Sequence, residues 1–211
     1  MKTKIHTRYR TKDSFIVPGV TTVLGVLAKP AIIHWAWECG VQGLDYRKVR
    51  DQSGDIGTLV HATILADLSG SEVDLSDYTE ADIKTAEVCL ESYRSWKSKH
   101  TLEPIHLEVP FVSEKYRYGG TPDYFGNIDG VPTILDFKTG NAIYDDYFCQ
   151  LDAYANLLTE EGSPPVENRI LRVGKLAGDG FEEKTIEVNL KKSRYWKIFL
   201  ACQQIYELQK E

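Results

Sequence analysis

The sequence predicts an α/β protein with one central mixed β-sheet and helices on its faces. Two observations carry this. Apolar residues recur at helical spacing through residues 55–68 and 80–99, then alternate from Ile105 onward. The order then runs through a three-strand meander, a helix, two further strands and a last helix. A repeating strand–helix barrel would not give that order.

The elements follow in turn. Residues 5–17 read as a strand or hairpin turning near Lys12-Asp13-Ser14. Pro18-Gly19 punctuates, and Thr21 or Thr22 is the expected cap of a helix running toward Ala28. Lys29-Pro30 breaks it, and a second helix carries Ile33, Trp35, Trp37 and Val41. The third helix places Ile56, Leu59, Val60, Ile64 and Leu68 on one side. Thr79 is the expected cap of the long fourth helix, with Ile83, Ala86, Leu90, Tyr93 and Trp96. Ile105, Leu107, Val109 and Phe111 alternate as the first meander strand. Residues 116–127 form the second, and 132–138 the third, after an Asp129-Gly130 turn. A helix over 145–159 shares one face among Tyr147, Leu151, Tyr154 and Leu158. Strands over 168–175 and 182–189 and a helix over 191–209 complete the chain.

Composition bounds the class. The 211 residues suit a single domain, with an N-terminal strand and helical segment over 1–50, a catalytic core over about 51–190 and a C-terminal helix over 191–211. An apolar content of 42% fits a globular chain, and no apolar run is long enough to span a membrane. The N-terminus lacks the apolar stretch of a secretory signal. Cys39, Cys89, Cys149 and Cys202 are widely spaced with no Cys-x-x-Cys pair, which argues against a zinc ribbon and fits reduced, cytosolic thiols. No P-loop occurs, so any helicase is a separate protein. The net charge of −6 opposes a nucleic-acid partner, but the basic residues cluster. Lys2, Lys4, Arg8, Arg10 and Lys12 form one group, Arg47, Lys48 and Arg50 a second, and Lys191, Lys192, Arg194 and Lys197 a third. Solvated faces account for these groups equally well.

One constellation carries chemistry. Gly119-Gly120-Thr121-Pro122-Asp123 is followed, one hairpin later, by Leu135-Asp136-Phe137-Lys138. Alternation along a strand puts Asp136 and Lys138 on one face and turns Phe137 to the other. The Phe137 carbonyl remains available as an oxygen donor. Two carboxylates that can hold a hard divalent cation, beside a lysine that can orient or activate water, form a minimal kit for phosphodiester hydrolysis. Of the three acid-x-Lys triplets, Asp82-Ile83-Lys84 lies on a polar helix face and Glu182-Glu183-Lys184 in a charged strand start. Only Asp136-Phe137-Lys138 ends an apolar strand with a Pro-Asp one strand earlier.

At these residues the chain resembles the PD-(D/E)xK nuclease superfamily, in particular its RecB-like branch of phage and mitochondrial-type single-strand exonucleases. Three further segments carry the resemblance: Gly57-Thr58-Leu59-Val60-His61, Gln150-Leu151-Asp152-Ala153-Tyr154, and Pro18-Gly19-Val20-Thr21-Thr22-Val23-Leu24 followed by Trp35. The resemblance implies a restriction-endonuclease-like core and DNA exonuclease activity leaving 5′-phosphate ends, in recombination, repair or replication. It also implies one or two Mg²⁺ or Mn²⁺ ions held by His61, Asp123, Asp136 and the Phe137 carbonyl, with Asp123, Asp136 and Lys138 catalytic. Gln150 and Tyr154 would support the site or touch DNA, and Glu108 is a candidate outer acid.

No iron–sulfur cluster and no nucleotide cofactor are expected. The expected partner is DNA, single-stranded or with free ends, in the cytoplasm of a bacterium or a phage-infected cell, with a separate helicase or recombinase as a further partner. Arg8, Arg10, Arg47, Arg50, Tyr116, Arg117 and Tyr118 are candidate DNA contacts, with Trp35 and Trp37 as stacking candidates that read first as core packing. Asp146 and Asp152 read as solvated helix acids. A structure-specific endonuclease of the same fold, or a non-catalytic DNA- or partner-binding module, are the competing functions.

Overall fold

The computed structural model describes residues 7–211. The basic residues Lys2 and Lys4 and the predicted strand start at Ile5 lie outside them. The chain folds around a five-stranded sheet built from β3 (Leu102–Leu107), β6 (Tyr124–Ile128), β7 (Val131–Lys138), β8 (Glu167–Val173) and β9 (Phe181–Glu187), in that spatial order. The β3–β6, β6–β7 and β8–β9 pairs are antiparallel and the central β7–β8 pair is parallel, so the sheet is mixed, as the sequence predicts.

Alternation along the strands feeds two cores. On one face Phe125, Ile134 and Ile170 pack with α1 (Val20–Leu24), α5 (Asp145–Glu160) and α6 (Arg194–Leu208). On the other, Tyr124, Leu135, Phe137 and Leu171 meet α3 (Tyr46–Ser69) and α4 (Glu80–Lys97), with Trp96 and Tyr93 fully buried between them. Burial of this apolar surface on both faces is the main force holding the sandwich together. No helix among the described residues is long and apolar enough to cross a membrane.

Local chemistry sets the helix ends. The Thr79 hydroxyl accepts from the Asp82 amide while the Asp82 carboxylate accepts from the Thr79 amide, a reciprocal capping box at the start of α4. Asp82 is therefore a buried cap rather than a residue of a polar face. Asp45 caps α3 through the Arg47 amide, so that helix begins nine residues before the predicted 55. Neither Thr21 nor Thr22 caps α1; Gly19 occupies that position with no side-chain bond. Pro30 opens α2 (Pro30–Val41) at a position where its missing N–H costs nothing.

Three strand expectations change. The single strand predicted over 116–127 is two. β5 (Tyr118–Gly120) pairs with β4 (Phe111–Ser113) in a separate ribbon, and β6 starts only at Tyr124. Pro122 stands between them without an N–H to continue a ladder. Asp123 thus lies just before β6 and not within a strand. β3 carries a register shift between Pro104 and His106, which ends the simple alternation and leaves Ile105 exposed. Glu108 follows β3 in a left-handed conformation (φ 49°), with its amide donating to the Asp123 carbonyl at 3.2 Å. The N-terminal hairpin is shorter than predicted, with β1 (Tyr9–Arg10) antiparallel to β2 (Ile16–Val17).

Asp152 is not a solvated acid. It is 1% exposed and accepts from Asn168 Nδ2 at 2.7 Å, from the Trp196 amide at 3.1 Å and from the Ser193 hydroxyl. Burial pushes its pKa up despite these donors. The bonds tie α5 to β8 and to the start of α6. Asp146 is half-buried and ion-paired with Lys29 at 2.7 Å.

Candidate active site

Four segments converge at the end of β7: α3, the turn before β6, β7 itself and α5. Asp136 is 1% exposed, and its Oδ2 lies 2.5 Å from Lys138 Nζ, as their shared strand face requires. The contact is an ion pair without ordinary hydrogen-bond geometry, and Asp136 Oδ2 has no other partner. Asp123 Oδ2 accepts the Phe137 amide at 2.9 Å and faces His61 Nδ1 at 3.4 Å. A strand residue directs its N–H and C=O to the same edge, so the Phe137 carbonyl lies on the Asp123 side of β7. The Phe137 ring turns the other way, edge-on to His61 and to Tyr93 in the second core. A Cβ added at Gly57, one turn before His61, would touch the Thr139 hydroxyl at 3.5 Å, so α3 approaches the end of β7 closely.

The α5 face completes the pocket. Lys138 Nζ donates to Gln150 Oε1 at 3.3 Å, and Gln150 Nε2 donates to the Tyr154 hydroxyl at 2.8 Å. The i, i+4 pair therefore acts as a two-step support for the lysine. The Tyr147 ring lies 4.8 Å from Lys138 Nζ. Tyr147 was legible in the sequence as a member of the apolar α5 face, but its spacing, three residues before Gln150, also places it over the lysine.

Electrostatics follow from burial. Desolvation pushes the Asp136 carboxyl up, with the Asp123 charge adding and the Lys138 ammonium opposing. Desolvation also acts to raise Asp123, but His61, Lys138 and the Phe137 amide hold it below the usual carboxylate range. Burial would lower the His61 pKa, yet Asp123 and then Asp136 outweigh it and raise it to about 9. Lys138 is likewise raised, because the two carboxylates outweigh its own desolvation. Lys138 is thus held as an ammonium by the charge of the two carboxylates.

The donor chemistry suits a hard or borderline divalent cation: two carboxylates, one imidazole and a strand carbonyl. Among the described residues no three His, Cys, Asp or Glu side chains stand as a preformed cage. Asp123 is instead paired with His61, and Asp136 with Lys138. The buried Asp136 Oδ2, which meets only the Lys138 ammonium and accepts no ordinary hydrogen bond, is the observation that fits a cation best.

Two open clefts meet at Glu108, the first of them reaching His61. One of about 430 Å³ is lined by Gly57, Thr58, His61, Ala62 and Glu108. The other, of about 420 Å³, is lined by Tyr9, Gly19, Thr21, Thr22, Glu108 and Thr121, with Thr7. Glu108 lines both and so stands at the rim of the site. Partial desolvation there raises its carboxyl, with the Asp123 charge adding.

The remaining candidates divide. Tyr118 is fully buried and its hydroxyl donates to the Ala153 carbonyl, so it is a core residue and not a DNA contact. Tyr116 packs edge-on against Trp196, and Arg117 pairs with Asp13. Arg8 and Arg10 are exposed on the N-terminal hairpin, with Arg10 bonded to the Ser14 carbonyl. Arg47 and Arg50 are exposed on the first turns of α3, Arg50 paired with Asp51. Core packing does not account for Trp37, which is 65% exposed on α2; Trp35 is half-buried against Tyr46.

No protein-family model matches the chain, and no curated protein matches it. Solved structures do. The chain is similar to a protein from Eubacterium rectale described as a candidate exonuclease, at 14% identity over 73% of this chain and 65% of that one, with a TM-score of 0.48. It is also similar to LHK-Exo, an alkaline exonuclease from Laribacter hongkongensis, at 13% identity over 71% of this chain and 81% of that one, TM-score 0.37. A third similar structure, SSO0001, shares 13% identity over 74% of this chain and 87% of that one, TM-score 0.35. The chain spans less than two thirds of the Eubacterium rectale protein's length.

Proposed function

We propose that this chain is a metal-dependent DNA exonuclease of the PD-(D/E)xK superfamily that leaves 5′-phosphate ends. The observation that carries the proposal is the Lys138 ammonium on the buried Asp136 carboxylate, with Asp123 and His61 alongside at one sheet end. His61, Asp123, Asp136 and the Phe137 carbonyl would hold Mg²⁺ or Mn²⁺. The cation supplies Lewis-acid stabilisation of the phosphoryl oxygens. Lys138 orients the attacking water, or donates to a phosphoryl oxygen as negative charge grows on that oxygen. Gln150 and Tyr154 keep the ammonium aimed, and Glu108 at the rim can orient water entering from the cleft. The Phe137 ring and the second core close the floor against bulk solvent.

A strand can approach over α2 and the start of α3. Trp37 is exposed with His34 edge-on to it, and Arg47, Lys48 and Arg50 follow on the first turns of α3. Cations at a helix N-terminus oppose the helix dipole, so these residues do not stabilise α3 and suit an anionic partner instead. Trp37→Ala is expected to leave the melting temperature unchanged and weaken single-stranded DNA binding about tenfold. Fluorescence anisotropy with a labelled oligonucleotide reads this, and unchanged affinity removes Trp37 from the strand path.

Cleavage of linear and covalently closed circular DNA tests the function. An exonuclease degrades the linear substrate alone, and ligation of its products confirms 5′-phosphate ends. Degradation of the circle makes the enzyme an endonuclease. DNA binding with no cleavage of either leaves a binding module.

A further inference from the structure

We propose that Tyr147 is a positioning residue that holds the Lys138 ammonium in its working direction, an inference that rests on the nuclease function proposed above. Lysine carries a point charge on a flexible stem, so a lysine that must act on one oxygen needs its direction fixed by its surroundings. Three groups surround Lys138 Nζ: Asp136 Oδ2 at 2.5 Å, Gln150 Oε1 at 3.3 Å and the Tyr147 ring with its centroid at 4.8 Å. The carboxylate holds the ammonium by charge at close range, and Gln150 accepts from one of its three donors. The ring attracts the cation through its quadrupole and blocks a further side, which leaves the other N–H groups few directions to point.

The ring is itself fixed. Tyr147 lies in the first turn of α5, its amide bonded to the Tyr144 carbonyl at 3.2 Å and its ring edge-on to Tyr144. Its hydroxyl sits over Gly140, where an added Cβ would come within 3.4 Å of it. The Lys138-Thr139-Gly140 turn therefore delivers the lysine and also leaves the space in which Tyr147 reaches back over it. Gln150, whose amide is oriented by Tyr154, lies one turn further along the same helix face. A single helix thus contributes two of the three sides of the lysine's cradle.

The test compares Tyr147→Phe and Tyr147→Leu with the wild type in single-turnover DNA cleavage at saturating Mg²⁺, alongside DNA affinity. The phenylalanine variant keeps the ring and is expected to cleave within about threefold of wild type. The leucine variant keeps apolar bulk without the quadrupole and is expected to lose about tenfold or more in rate, with DNA affinity within about twofold. Tyr147→Met replaces leucine should that variant not fold.

Wild-type rates in the leucine variant, an equal loss in the phenylalanine variant, or a loss confined to DNA affinity overturns the proposal. A second readout does not depend on cleavage. In ¹³C-lysine-labelled protein the Lys138 ε-methylene resonance, assigned by its absence in Lys138→Ala, is expected upfield in wild type and Tyr147→Phe and at the ordinary lysine position in Tyr147→Leu. Should the wild type cleave nothing, the nuclease function fails by itself. An unshifted Lys138 resonance in the wild type overturns the cradle.

Discussion

Lys138→Ala is expected to lower the single-turnover cleavage rate by two to three orders of magnitude while DNA affinity stays within a few-fold. The rate estimate is that for removing one preorganised donor aimed at developing charge, about 10²–10³. Affinity is spared because Lys138 lies inside the site, ion-paired with Asp136 and bonded to Gln150, and not among the exposed basic residues on α3. The folded protein tolerates the change better than a buried ion pair usually would. Asp136 already has a raised pKa, so without its ammonium it can take up a proton instead of remaining a buried lone charge. Arginine is not expected to rescue the rate, because its planar fork does not reproduce the compact point charge of an ammonium. Single-turnover kinetics with enzyme in excess and anisotropy with the same oligonucleotide separate rate from binding. Full activity in Lys138→Ala removes the assigned role.

Gly120→Ala is expected to lower stability by about 1–3 kcal/mol and to slow cleavage as well. Neither Gly119 nor Gly120 is in a left-handed conformation; both are glycine because aromatic rings lie on them. A Cβ on Gly119 would overlap the Tyr9 ring, and one on Gly120 would lie 2.5 Å from Tyr154 Cε1. The glycine pair ahead of Thr121-Pro122-Asp123 is thus held between Tyr9 of the N-terminal hairpin and Tyr154 of α5. Displacing the Tyr154 ring moves the hydroxyl that fixes Gln150, and with it the support of Lys138. Gly40→Ala is the control: it lies within α2 with nothing within 4 Å of an added Cβ, and should stabilise by about 0.5–1 kcal/mol. Urea denaturation measures both. Equal effects at the two positions would mean that backbone entropy, and not the ring contact, governs Gly120.

Much of this was legible in the sequence, for identifiable reasons. Long amphipathic segments such as α4 and α5 announce themselves by period, and Asp136 and Lys138 share a strand face by alternation alone. Features set by distant contacts were not legible. Tyr118 reads as a surface aromatic until the Ala153 carbonyl and Asn156 are seen around its hydroxyl. Asp152 reads as an exposed helix acid because its three donors come from β8, the turn after β9 and α6. The split of the second strand was signalled by Pro122, whose lack of an N–H outweighs the apolar pattern on either side. The exposure of Trp37 runs against the usual expectation for tryptophan, since apolar periodicity does not distinguish a face that packs on the core from one left for a partner.

The most direct test is cleavage of end-labelled single- and double-stranded DNA in Mg²⁺, Mn²⁺ or EDTA, with Asp136→Ala run beside the wild type. The predicted result is degradation that needs the metal, disappears with EDTA and is lost in the variant, with the ladder from each label giving polarity. Wild type and variant equally inert while both bind DNA, or equally active in EDTA, would contradict a metal-dependent nuclease site at Asp136.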